Sequence, residues 1–246
     1  MNKPIKPNRT RLEDNENEEI RYLKNLILNV EYDNTQFEFW WDNDKKIIGA
    51  LGSNSLGKVF EYKSIFDTVI ATDEAIKKSL KCAIEYAYAE EPTFSGLFQE
   101  PSETEKKAIY YTENAVFRTI ILWDMLAQLN NIKHGLVKDI TKINYVGFLK
   151  NNLKKADENQ SRVYKEYFDE KDDMSTTPHW KGNHKYLKSF RNQMAHRNSP
   201  NVTTMSNYSS KLRLPMRFVL KRLIEDYCVV SNFLMNFFNE VEIATD

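Results

Sequence analysis

Arginine, asparagine and histidine are clustered in the nine-residue run SFRNQMAHR, which spans Ser189 to Arg197. Histidine exchanges protons near neutral pH, whereas arginine is permanently charged and binds a phosphate through its forked guanidinium. Cleavage of an RNA strand without a metal requires a base for the 2′-hydroxyl proton, a cation on the phosphoryl oxygens and an acid for the leaving 5′-oxygen. Arg191 and His196 are the minimal pair for this chemistry, so we predict both as catalytic residues.

The spacing of these residues on a helix restricts how they can cooperate. Asn192 and His196 are four positions apart and share a helical face, so we expect the Asn192 amide to hydrogen-bond and orient the imidazole. Arg191 and His196 are five positions apart, about 140° of rotation on an ideal helix, and do not share a face. Arg191 therefore either reaches the site where the helix frays or acts in a cleft shared with a second copy. A two-fold homodimer would bring two arginines and two histidines to one groove and supply both base and acid.

The motif lies inside a window of 51 residues, Met174–Ile224, that contains no aspartate or glutamate. This basic window contains ten Lys and Arg residues, although the whole chain carries 35 basic and 35 acidic residues. Such a block can steer a polyanion such as RNA toward one face. The alternative is that it pairs with the acidic remainder of the chain across a helical bundle. The predicted RNA-binding residues are Lys185, Lys188, Arg197, Arg213, Arg217 and Lys221, the last three spaced along one face of the final helix.

Helical patterns dominate the elements that must hold this motif. Ser102 followed by Glu105 is a capping-box pattern that predicts a helix start, and Gly135 is the expected cap at its other end. The stretch 35–62 is rich in aromatic residues and glycine and predicts a short hairpin or an irregular loop. Long helices with short connections predict an all-α, up-and-down bundle. The predicted helices cover residues 20–30, 65 or 72 to 91, 102–135, 144–155, 158–169, 178–196 and about 215 onward, with a polar loop over 197–210.

Composition excludes several classes of protein. Only 7 glycines and 7 prolines occur in 246 residues, too few turn formers for an all-β sandwich or barrel. No apolar run approaches the roughly 18 residues that a membrane span needs. The first 17 residues are polar and lack the apolar core of a secretory signal, so we expect a cytoplasmic protein. The two cysteines form no Cys-x-x-Cys or Cys/His cluster, which argues against a disulfide framework and a structural zinc site.

The segment RNQMAH, at the end of a basic penultimate helix and before a polar loop and a long final helix, resembles the HEPN superfamily (higher eukaryotes and prokaryotes nucleotide-binding). The family signature is an arginine, four to six residues and a histidine, which Arg191, Asn192 and His196 match. The resemblance implies a bundle of HEPN type over residues 65–246, after an N-terminal extension, 1–64, that it does not explain. It also implies a metal-independent, homodimeric endoribonuclease that uses no cofactor and leaves a 2′,3′-cyclic phosphate. Because many such proteins act in toxin–antitoxin or anti-phage systems, RNA and an antitoxin are the implied partners.

Two other functions fit parts of the sequence. A non-catalytic helical module would bind RNA, a nucleotide or a protein through the same basic surface. Nucleotide hydrolysis would need a phosphate-binding loop, and Gly52–Lys58 has the GxxxxGK spacing of one. Val59 stands where such a loop has the serine or threonine that holds Mg²⁺, so we predict a glycine-bearing turn there instead.

Isolated histidines, cysteines and tyrosines have simpler interpretations. His179 and His184 have no carboxylate between them and are predicted to be surface histidines rather than metal ligands. Cys82 and Cys228 fall on apolar helical patterns and are predicted to be buried thiols. Tyr186 and Tyr208, inside the basic window, are candidates for stacking on a base.

Overall fold

The chain has an all-α fold, as the sequence predicts. The structure is a computed structural model that describes residues 18–33, 54–89, 101–137, 143–171, 180–196, 205–206, 209–210 and 215–240. Within these ranges the helices are α1 (Glu18–Leu28), α2 (Asn54–Ala87), α3 (Glu103–His134), α4 (Tyr145–Gly147), α5 (Glu158–Asp169), α6 (Asn183–His196) and α7 (Met216–Glu240). A π-helical turn, Phe148–Asn152, and a 3-10 turn, Leu153–Lys155, follow α4. Two short strands, β1 (Met205–Ser206) and β2 (Ser209–Ser210), pair antiparallel in the segment predicted as a loop.

Both ends of α3 form as the sequence predicts, because each end depends on residues close in sequence. The Glu105 backbone N–H donates to Ser102 Oγ at 3.1 Å and satisfies one of the amides that a helix start leaves unpaired. At the other end Gly135 has a φ of 62°. Its N–H donates to the Asn131 carbonyl at 2.7 Å, which closes the last turn.

Helix α2 is longer than predicted and corrects two expectations. It begins at Asn54, so residues 54–62 are helical rather than a hairpin or an irregular loop. The sequence between Lys58 and Glu91 contains no glycine or proline to interrupt the helical hydrogen bonds, which accounts for the helix over residues 58–62, and Gly57 is tolerated in the first turn. Lys58 of the GxxxxGK segment therefore lies in a helix and not in a turn, while Gly52 lies outside the described residues. The predicted domain boundary between residues 64 and 65 falls inside α2.

The chain divides into two compact units, each built from three segments. Unit 1 comprises Met1–Asn29, Ala75–Ile120 and Glu170–Cys228. Its described helices are α1, α6, the C-terminal part of α2 and the N-terminal parts of α3 and α7, and it also holds β1 and β2, so it contains the Arg–Asn–His motif and the basic window. Its buried apolar side chains come from each of these helices and include Leu23, Ile76, Leu80, Ile84, Val116, Leu187, Phe190, Val219 and Leu223.

Unit 2 comprises Val30–Glu74, Ile121–Asp169 and Val229–Asp246, and has an aromatic core. Trp123 is fully buried there and stacks on Tyr167 with the ring centroids 5.7 Å apart. A second contact joins Phe66 and Phe238 edge to face, with centroids at 4.9 Å. Aromatic pairs in these geometries add to the stabilisation that burial itself provides.

Candidate functional site

The predicted catalytic residues lie in the last turns of α6. Leu187 and Phe190 are buried on one side of this helix, and Arg191 and Asn192 beside them are half-buried. His196 is the final residue of α6, and its side chain lies outside what the structure describes. The expected hydrogen bond between Asn192 and His196 therefore stays a prediction.

Arg191 and Asn192 contact each other directly. Arg191 Nη1 donates to Asn192 Oδ1 at 3.1 Å, so the asparagine holds the guanidinium through its carbonyl oxygen. The Asn192 Nδ2 group is not needed for this bond and keeps its capacity to donate to an imidazole. Arg191 Nε is buried, and it has no hydrogen-bond partner in the described part of the chain. A buried donor without a partner is costly, so the described residues leave Arg191 with one unsatisfied N–H.

The basic window divides into cations bound within the protein and cations on its surface. Lys221 forms an ion pair with Glu19 of α1. Arg217 Nε donates to the Ala87 carbonyl at 2.9 Å, and its guanidinium lies 4.5 Å from the centre of the Tyr88 ring. Lys185 is exposed and Lys188 is half-exposed on α6. Arg197 and Arg213 lie outside the described residues.

Arg222 is a buried cation that sequence reasoning did not single out. Its side chain has 0% exposure in unit 1, where its Nε donates to Asn183 Oδ1 at 3.0 Å and its Nη2 to the Lys181 carbonyl at 3.3 Å. Its guanidinium carbon lies 4.1 Å from the centre of the Tyr186 ring and within 5.7 Å of those of Trp180 and Phe218. Hydrogen bonds and ring faces together compensate the loss of water around the charge.

Two carboxylates that follow Arg222 on α7 bind the start of α6. The Trp180 backbone N–H and Asn183 Nδ2 both donate to Glu225 Oε2, at 3.0 and 2.6 Å. His184 Nδ1 lies 3.3 Å from Asp226 Oδ1, and both side chains are buried. These contacts and those of Arg222 form the Arg222 cluster (Trp180, Asn183, His184, Tyr186, Phe218, Arg222, Glu225 and Asp226). It fixes the first turn of the helix that carries Arg191.

The Arg222 cluster corrects the prediction that His184 is a surface histidine. Its partner Asp226 is 42 positions away on another helix, so no local pattern could reveal the pair. A signal was present in α7 nonetheless, because Arg222 and Asp226 are four positions apart on the stripe that passes through Val219, Leu223 and Val230. Charged residues on an apolar stripe indicate a buried ion pair or network. His179 lies outside the described residues.

The two cysteines also differ from expectation, whereas the stacking of Tyr186 on a base stays a prediction. The Tyr186 ring is half-exposed and contacts the Arg222 guanidinium and, at 5.9 Å between centroids, Phe218. Tyr208 lies outside the described residues. Cys82 and Cys228 are free thiols that are partly exposed rather than buried. The Cys228 Sγ lies 3.7 Å from the Leu26 carbonyl.

Comparison with known proteins does not supply a family. No protein-family model matches the chain, and neither the curated proteins nor the solved structures give a match. Among the described residues, no three or more His, Cys, Asp and Glu side chains are grouped so that they could hold a metal ion. None of the helices in the described ranges has the length and apolar character to cross a membrane.

Proposed function

We propose that the protein is a metal-independent endoribonuclease of HEPN type. The observation that carries this proposal is the state of Arg191, whose guanidinium is held by Asn192 on a half-buried side of α6 with a buried Nε–H unpaired in the described part of the chain. A phosphoryl oxygen is the acceptor that a forked guanidinium binds best. His196, five positions further along the same helix, is the residue that would transfer the proton.

The reaction follows from the chemistry of these groups. His196 takes the proton from the 2′-hydroxyl, and the resulting oxygen attacks the adjacent phosphorus while Arg191 stabilises the charge on the phosphoryl oxygens. The P–O5′ bond breaks, the 5′-oxygen takes a proton, and a 2′,3′-cyclic phosphate remains. In a homodimer, one imidazole acts as the base and the imidazole of the second copy as the acid. A cytoplasmic toxin or anti-phage nuclease, restrained by an antitoxin, is the biological setting that we propose for this activity.

Cleavage of RNA in the presence of EDTA tests the proposed function. Purified wild-type protein should convert an RNA oligonucleotide to products that end in a 2′,3′-cyclic phosphate, whereas the 2′-deoxy analogue should stay intact. His196→Ala should abolish cleavage. Gln193→Ala, an exposed position on the same helix, is the matched control and should cleave normally. Equal cleavage by wild type and His196→Ala would contradict the assignment.

A non-catalytic helical module that binds RNA, a nucleotide or a protein is the second candidate. The observation that favours it is the use of Arg217, Lys221 and Arg222 in contacts within unit 1, which leaves fewer cations of the basic window for a long polyanion and favours a nucleotide or a protein as the ligand. Binding of the ligand would survive His196→Ala without any cyclic phosphate product, and any binding of RNA would depend on salt.

A further inference from the structure

We draw no further inference here: the strongest candidate, the partly exposed aromatic patch that Tyr86 of α2 forms with Tyr110 and Tyr111 of α3 in unit 1, carries none because nothing in the structure shows what covers it.

Discussion

Arg222 Nε donates to Asn183 Oδ1 at 3.0 Å, and this hydrogen bond joins the middle of α7 to the first turn of α6. The same guanidinium also donates to the Lys181 carbonyl, so a single buried cation satisfies two acceptors that precede or begin α6. Burying a charge is unfavourable unless hydrogen bonds and nearby groups compensate it. The two hydrogen bonds hold the start of α6 against the middle of α7.

Arg222→Met should destabilise the protein by about 3 kcal/mol, because it removes the donor from two acceptors in a site that water cannot reach. The measurement is the free energy of unfolding from urea denaturation. Lys185→Met is the matched control, since Lys185 is exposed on α6, and it should change stability by less than about 0.5 kcal/mol. A loss of the same small size in Arg222→Met would contradict the structural role of the Arg222 cluster.

The contact between His184 and Asp226 should appear as a coupling energy. His184→Ala and Asp226→Ala should each destabilise unit 1, and the double variant should lose less than the sum of the two by on the order of 1 kcal/mol. Both side chains are buried and 3.3 Å apart at their nearest polar atoms, so each single variant leaves the other without this partner. Strict additivity of the two losses would show that the pair contributes no interaction energy.

Arg191→Met should separate activity from stability. Cleavage should fall on the order of 100-fold or more, because methionine cannot stabilise charge on the phosphoryl oxygens. Thermal stability should not fall, since methionine fills a similar volume and removes a buried N–H that has no partner in the described part of the chain. Initial rates of RNA cleavage and a thermal melt check the two halves of the prediction. A large drop in melting temperature would instead assign Arg191 a structural role.

Alkaline pH should destabilise the fold through its buried tyrosines. Burial raises the pKa of Tyr164 in unit 2 and of Tyr88 in unit 1 above the ordinary value of 10.0. The folded state therefore holds these phenolic protons more tightly than the unfolded state. Their contribution is complete below about pH 10 and is lost as the pH rises through the raised values.

Urea denaturation at a series of pH values checks this dependence. The free energy of unfolding of the wild type should fall steadily above about pH 10. Tyr164→Phe should make that fall less steep, because phenylalanine has no proton to lose. An unchanged slope in Tyr164→Phe would show that other groups cause the alkaline loss.

The sequence predicted those parts of the fold that depend on neighbouring residues. The ends of α3 follow from Ser102 and Gly135, whose contacts span no more than four positions, and both were predicted at the residues where they occur. The predicted start of α2, at residue 65 or 72, was wrong because the aromatic residues and glycines before Phe60 suggested an irregular segment. The absence of breakers after Gly57 was the stronger signal.

The Arg222 cluster could not be predicted in the same way. Asn183 and His184 meet partners 39 and 42 positions away, and only the packing of α6 against α7 brings them together. The absence of acidic residues in the basic window suggested an open cationic surface. The acids that bind part of it come from outside the window, as Glu19 does for Lys221 and Glu225 for Asn183.

Cys82 is a free, partly exposed thiol on α2, so its chemical modification can be followed in the unmutated protein. Its thiol acts electrostatically on the Tyr111 phenol and raises the pKa of that group, so the sulfur lies within electrostatic reach of that ring. Burial raises the pKa of Cys82 in turn, so the thiol alkylates slowly at neutral pH and its modification rate is easily followed. Cys228, the second thiol, sits beside Leu26 and serves as an internal reference. Alkylation kinetics can thus report changes in the accessibility of α2 around Cys82 in the unmutated protein.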